Sequence, residues 1–200
     1  MRIADFPVPD TAAARGALSL ASEYQSAAIT AHAIRSWLWA EAFAVIENLP
    51  VVDHELLYVA AVLHDIGTVT EYDNFTLSYE DAGGHVAVAL TAGAGWPPER
   101  RRRVLEVVVR HNWPQVDPAF DVEGHLLEIA TGLDISGARR ELLPDDFLRE
   151  VLATHPRGAL AQEFGECVTE QAARKPTTAA RRLVDGGVIK KLAENPLERL

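Results

Sequence analysis

The chain of 200 residues is long enough to bury one sizeable core, and its apolar fraction of 48% is that of a globular fold, which excludes a disordered chain. Its 19 basic residues against 29 acidic ones leave a formal charge of −10, a surface that repels nucleic acid and anionic lipid. A single cysteine, Cys167, excludes an internal disulfide, and neither the opening MRIADFPVPD nor the most apolar later stretch, 58–63, has the length of a signal-peptide core or a membrane span. The expectation is a soluble, cytoplasmic protein.

Alanine and leucine abound and β-branched residues are scattered, which favours helices. Residues 1–22 read as an N-terminal extension, stiffened by Pro7 and Pro9 and carrying a short helix over 11–21. From Glu23 to Ile46 the apolar positions Ile29, Trp39, Phe43 and Ile46 recur at helical spacing, with His32 and Ser36 on the same stripe. Asn48-Leu49-Pro50 ends this helix. Asp53 is placed to cap a second helix that runs through Leu57, Ala60, Ala61 and His64, and Gly67 reads as its C-terminal signal. Ser78 and Asp81 resemble a capping box that opens a third helix, to about Ala94. The adjacent Gly83 and Gly84 are costly inside it and imply that something approaches the backbone closely.

Pro97-Pro98 begins a fourth helix with the stripe Val104, Val107, Val108 and His111, stopped at Asn112-Trp113-Pro114. Asp121 is placed to cap a fifth, which carries Leu126, Leu127, Ala130 and Asp134. Pro144 starts a sixth, ended at 155–158, and a seventh runs from about Leu160 to Arg174. Residues 177–200 hold one more helix, as a C-terminal extension packed on the same domain. The reading is all-α: a bundle of roughly six to eight helices, its main domain over 23–176, with no internal repeat. Most other prominent residues take structural readings. His54 and His125, near helix starts, are expected to be exposed. Trp37, Trp39, Trp96 and Trp113 are expected in the core or a pocket wall. The run 100–103 of four arginines points in four directions along a helix and reads as a solvated face beside Glu99 and Glu106.

The chemistry centres on His64-Asp65. In Ala-Ala-Val-Leu-His-Asp-Ile-Gly a carboxylate sits between Leu63 and Ile66 at the end of an apolar helix, where an unpaired charge is strongly unfavourable and must meet a cation or strong donors. An isolated His-Asp pair is more often a solvated helix end. Here, however, His32 lies on an inward stripe and Asp134 has apolar neighbours on both sides. Two histidines and two carboxylates from three helices make a nitrogen–oxygen donor set suited to Zn²⁺, Fe²⁺, Mn²⁺ or Ni²⁺, and bundle cores build metal sites in this way.

The order His32, His64-Asp65, Asp134 resembles the HD-domain superfamily of metal-dependent enzymes. Further motifs resemble its cyanamide hydratase-like branch: His-x-x-Arg at 32–35, Leu-His-Asp-Ile-Gly-Thr at 63–68, Ser-Tyr-Glu-x-x-Gly-Gly at 78–84, Val-Arg-His at 109–111, Leu-Asp-x-x-Gly at 133–137, His-Pro-Arg at 155–157 and Gln-Ala-x-x-Lys-Pro at 171–176. The resemblance implies the HD helical bundle, with His32, His64, Asp65 and Asp134 converging on one divalent metal, zinc foremost. It also implies an enzyme that adds water to a small nitrogen-containing electrophile such as a nitrile. Asp65 would bind metal and orient the water, and His111 would transfer a proton. Arg35 and Lys175 are candidates for positioning substrate. His85 and His111 lie between the His-Asp pair and Asp134, where binuclear HD enzymes carry extra ligands, so a second metal stays open. With it stay an HD phosphohydrolase acting on a nucleotide or phosphate ester, a di-iron oxygenase and a non-catalytic regulatory bundle. The expected partner is a small-molecule substrate, with neither nucleic acid nor membrane. Homo-oligomerisation is left open.

Overall fold

The computed structural model describes residues 1–49 and 51–200. Ten α-helices form among them, joined by short loops and four 3₁₀ turns, and no strand does. They are α1 (Ala12–Tyr24), α2 (Ala27–Ile46), α3 (His54–Leu63), α4 (Tyr79–Gly93), α5 (Pro98–Arg110), α6 (Val122–Ser136), α7 (Asp145–Thr154), α8 (Leu160–Arg174), α9 (Ala179–Asp185) and α10 (Val188–Ala193). The all-α class is as expected, but the helices outnumber the expectation. The C-terminal segment divides into α9 and α10 at Gly187, whose φ of 76° lies in the left-handed region that breaks a helix. At the other end, Ser26 caps α2 by accepting from the Ile29 amide, so Glu23 belongs to α1.

Two helices lie at the centre. Every residue of α2 from Arg35 to Ala44 is buried, as is every residue of α3 from Leu56 to Leu63. Such helices are apolar all round and must be wrapped by others. α1, α5 and α6 pack on α3, α6 and α8 on α2, and α4 pairs with α5. α1 also touches α4, while α9 and α10 pack on α8. α2 ends at Ile46, and Asn48 takes a positive φ of 51°. Pro50, read as the stop signal, lies outside the described residues. No helix among those described is long and apolar enough to cross a membrane.

The turn after α3 is set by glycines. His64 caps α3 in right-handed geometry, and Ile66–Thr68 form a 3₁₀ turn. Gly67 is not the left-handed terminator the sequence suggested, since its φ is not positive. It is needed because a Cβ there would lie 2.1 Å from the Tyr79 carbonyl oxygen and 2.8 Å from the Gly83 nitrogen. A Cβ on Gly83 would in turn lie 3.2 Å from the Leu63 carbonyl oxygen and 3.3 Å from that of His64. The expected close approach at Gly83 is therefore the His-Asp turn itself, seated on the first turns of α4.

Two further expectations are corrected. His125 is buried, not exposed, its ring bonded to the Val116 carbonyl and to Glu47; His54 is exposed, as read. The arginine run is not simply a solvated face. Arg100 pairs with Asp53 and lies 3.7 Å over the Trp96 ring, and Arg103 pairs with Asp121 and Glu123. Asp121 also caps α6, accepting from the Gly124 amide at 2.8 Å.

Candidate metal centre

Three side chains meet in the middle of the bundle. His32 comes from the second turn of α2, His64 from the end of α3, and Asp65 from the turn that Gly67 and Gly83 seat on α4. All three are buried, and one donor atom from each lies within 4.8 Å of the others. His32 Nε2 is 3.1 Å from His64 Nε2, and Asp65 Oδ2 is 3.2 Å from His64 Nε2 and 3.6 Å from His32 Nε2. His111, capping the C-terminus of α5, brings its Nε2 to 3.9 Å from Asp65 Oδ1.

The other nitrogen of each ring decides what these contacts are. His64 Nδ1 lies 2.6 Å from the Ala61 carbonyl oxygen and His111 Nδ1 lies 2.5 Å from that of Val108. A carbonyl only accepts, so both Nδ1 atoms carry the hydrogen. His32 Nδ1 lies 2.7 Å from Asp134 Oδ2 and donates likewise. In the neutral rings the Nε2 lone pairs of all three histidines are thus left toward Asp65, whose two oxygens are buried without any hydrogen-bond partner. Lone pair against lone pair at 3.1 Å, with an unpartnered carboxylate alongside, is stable only with a cation or a proton among them. Two nitrogen ligands about 2.0–2.1 Å from a tetrahedral zinc lie roughly 3.3 Å apart. The donor set fits a divalent metal.

The charges agree. Burial dominates at His32 and His111 and lowers both, His111 to about 3 with repulsion from His64 added. At His64 burial acts in the same sense, but Asp65 outweighs it and the ring is raised. Asp65 is held below the usual carboxylate range, because the imidazoles of His64, His32 and His111 outweigh the effect of its burial.

Asp134 is placed elsewhere than expected. The carboxylate lies behind His32, on the Nδ1 side, and not among the converging donors. Its oxygens are taken up by other groups: Arg35 Nε at 2.8 Å, Arg35 Nη2 at 2.7 Å and Trp39 Nε1 at 2.9 Å. Arg35 is fully buried, gives Nη1 to the carbonyls of His155 and Pro156, and lines no part of the cavity at the cluster. His85 is exposed on α4 and lines no part of the cavity at the cluster, which leaves the second-metal reading without its extra ligand. Lys175 is also remote: Nζ is bonded to Asp73 at 2.6 Å.

A cavity of about 160 Å³ opens onto the cluster, with His111, Tyr79, Asn112, Glu128, Thr131 and Phe164 among its walls. Trp113 stands at its exposed rim. Among the described residues, no lysine or arginine lines it. The sequence reading missed Trp39 as a donor, Arg157, which bonds the Asp134 carbonyl at 2.7 Å, and Glu128 as a wall residue. Glu128 had a signal: a carboxylate inside Leu-Leu-Glu-Ile-Ala, three and four residues before Thr131 and Gly132 on one helix face.

The HD domain family model matches residues 29–136, more than half of the chain, and the chain belongs to the HD domain family. Two relatives from Saccharomyces cerevisiae, cyanamide hydratase DDI2 and cyanamide hydratase DDI3, are each 28% identical to it over 174 residues, covering 85% of this chain and 77% of theirs. HD domains hold divalent metals, and His32, His64 and Asp65 form a cluster able to hold one here.

Proposed function

We propose that the chain is a metal-dependent hydratase that adds water across the carbon–nitrogen triple bond of a small cyanamide-like nitrile. The observation that carries this reading is the cavity at the metal donors, small and, among the described residues, lined by no lysine or arginine. A phosphate ester needs cationic donors around its oxygens and more room than about 160 Å³, so the phosphohydrolase alternative loses its footing. The likeness to two proteins described as cyanamide hydratases points the same way.

In this reading His32, His64 and Asp65 hold one divalent ion, zinc foremost with iron, manganese and nickel open. The ion supplies an acidified water and polarises the electrophile. Asp134 and the Ala61 carbonyl fix the tautomer and direction of the two imidazoles. Asp65 Oδ1 accepts a hydrogen from the attacking water and orients it. His111, neutral and with its Nε2 lone pair inward, takes the proton that the water releases and returns it to the nitrile nitrogen. One C–O bond forms, one C–N π bond opens, and nothing leaves.

The test is direct. Elemental analysis of protein purified without added metal should give about one metal per chain. The loaded enzyme should convert cyanamide to urea, lose that activity with a chelator, and release no phosphate from nucleotides or aryl phosphates. Phosphate release without urea formation overturns the reading.

A further inference from the structure

The main-chain carbonyl of Asp134 is held by two side chains from beyond the segment that matches the HD domain family. It is one of the last four carbonyls of α6, which have no amide within their own helix to accept from. The Leu133 carbonyl is satisfied by the Gly137 amide, but the Ala138 amide, four residues after Asp134, is turned to Ser136 Oγ. Arg157 Nη1, from the loop between α7 and α8, donates to the Asp134 carbonyl at 2.7 Å, and Asn195 Nδ2 donates to it at 2.9 Å. Both side chains are buried.

These contacts tie the last turn, Pro196–Arg199, to the metal centre. Asn195 Oδ1 accepts from the Leu197 amide at 2.9 Å, and Arg157 Nε pairs with Glu198. The turn sits directly on the end of α6, where a Cβ on Gly137 would lie 2.3 Å from Pro196 Cγ. Arg157 Nη1 also stands 3.5 Å from Asp134 Oδ2, the oxygen that lies 2.7 Å from His32 Nδ1. Arg35 and Trp39 thus hold the Asp134 carboxylate, while Arg157 and Asn195 hold the main chain that carries it. A carboxylate directs a metal-binding imidazole only as well as its own backbone is fixed.

We propose that Asn195 and Arg157 are positioning residues for His32: through the main chain of Asp134 they set the direction in which its Nε2 is presented to a divalent ion. Neither lines the cavity at the cluster. The inference rests on the metal centre and is independent of the substrate. It makes metal affinity depend on side chains beyond residue 136 as well as on the HD segment itself.

The test uses the full chain with Asn195→Ala, which removes one donor, and Glu198→Gln, an exposed change that loosens Arg157. Asp134→Asn is compared with and without Asn195→Ala. Zinc affinity is read by competition with a chromophoric chelator, coordination geometry by the visible absorption of cobalt-loaded protein, and folding by circular dichroism. Asn195→Ala should weaken zinc binding about tenfold, the low end for a group outside the coordination sphere, and alter the cobalt bands. Glu198→Gln should act in the same direction by a smaller factor, and it decides alone if Asn195→Ala does not fold. In the Asp134→Asn background, Asn195→Ala should add less than about twofold, because the group it acts through is already changed. Unchanged zinc affinity and cobalt bands in the folded variants, or an equal loss in the Asp134→Asn background, overturns the inference and leaves the metal centre and the hydratase standing. Wild-type protein that takes up neither zinc nor cobalt overturns the metal centre itself, and the inference with it.

Discussion

Asp134 stands 2.7 Å behind Nδ1 of His32 while Arg35 grips the same carboxylate with two nitrogens. The carboxylate thus acts on the metal site through an imidazole. Asp134→Asn should weaken zinc binding by about 10- to 100-fold, the usual effect of losing a group that orients a ligand, with the helical fold retained. Competition with a chromophoric chelator measures it. Loss of binding as complete as in Asp65→Ala would make Asp134 a direct ligand.

Asp65→Ala should abolish both metal retention and turnover. Its two unpartnered oxygens are the only carboxylate donors in the cluster. Elemental analysis after dialysis, with circular dichroism to confirm the helices, is the measurement. A folded variant that keeps its full metal content excludes Asp65 from coordination.

His85 and His111 should behave oppositely. His85→Ala alters an exposed position and should leave stability within about 0.5 kcal/mol and metal content unchanged. His111→Ala should lower kcat by about 10²- to 10⁴-fold, the range for losing a proton-transfer group. Loss of a metal on removing His85 would restore the binuclear reading.

Gly67→Ala should be among the most damaging small substitutions. Its Cβ would meet backbone atoms of α4 at 2.1 and 2.8 Å, which no side-chain rotation relieves. Overpacking of this kind costs about 1–3 kcal/mol or more, and here it also shifts the His-Asp turn. Gly83→Ala, with contacts of 3.2–3.4 Å, should cost less. Chemical denaturation of both variants gives the order, and an equal or reversed ranking contradicts it.

Asp121 supplies a pH dependence away from the metal. Burial would raise its carboxyl, but Arg103, Arg110 and the Gly124 amide outweigh this and hold it below its ordinary value. A carboxyl lowered by folding contributes stability above its unfolded pKa of about 3.9 and loses that contribution as pH falls through the folded value. Asp121→Ala should therefore cost about 3 kcal/mol at pH 7, through the lost cap and the broken ion pairs. The gap to wild type should shrink on acidification below about pH 4. A difference that stays constant to pH 2 would show that the charge contributes nothing.

The helical architecture was legible in the chain because its signals are local: Asp53, Ser78 and Asp121 stand at helix starts, proline opens α5, and the stripe Val104, Val107, Val108 ends in His111. His64-Asp65 was legible because a carboxylate in an apolar run is energetically conspicuous anywhere. Gly83 announced a close contact, though not with what. These readings need only the properties of a residue and its near neighbours in sequence.

What the tertiary structure decided is which atom of each residue faces which partner. Asp134 and Asp65 look alike in sequence, each an acid in apolar surroundings, yet one is hydrogen-bonded by Arg35 and Trp39 and the other faces imidazole nitrogens without a hydrogen-bond partner. His85 and His111 both looked available, and the packing of α4 turned the first outward while the end of α5 turned the second inward. Glu128 became a wall residue only because the face of α6 that carries it lines the cavity. Helix spacing specifies a face to within a turn, and the Ala61 and Val108 carbonyls orient His64 and His111 locally. The contacts of His32 with His64 and Asp134 and of Arg35 with His155, by contrast, span 32 to 120 residues and depend on how all the helices pack together.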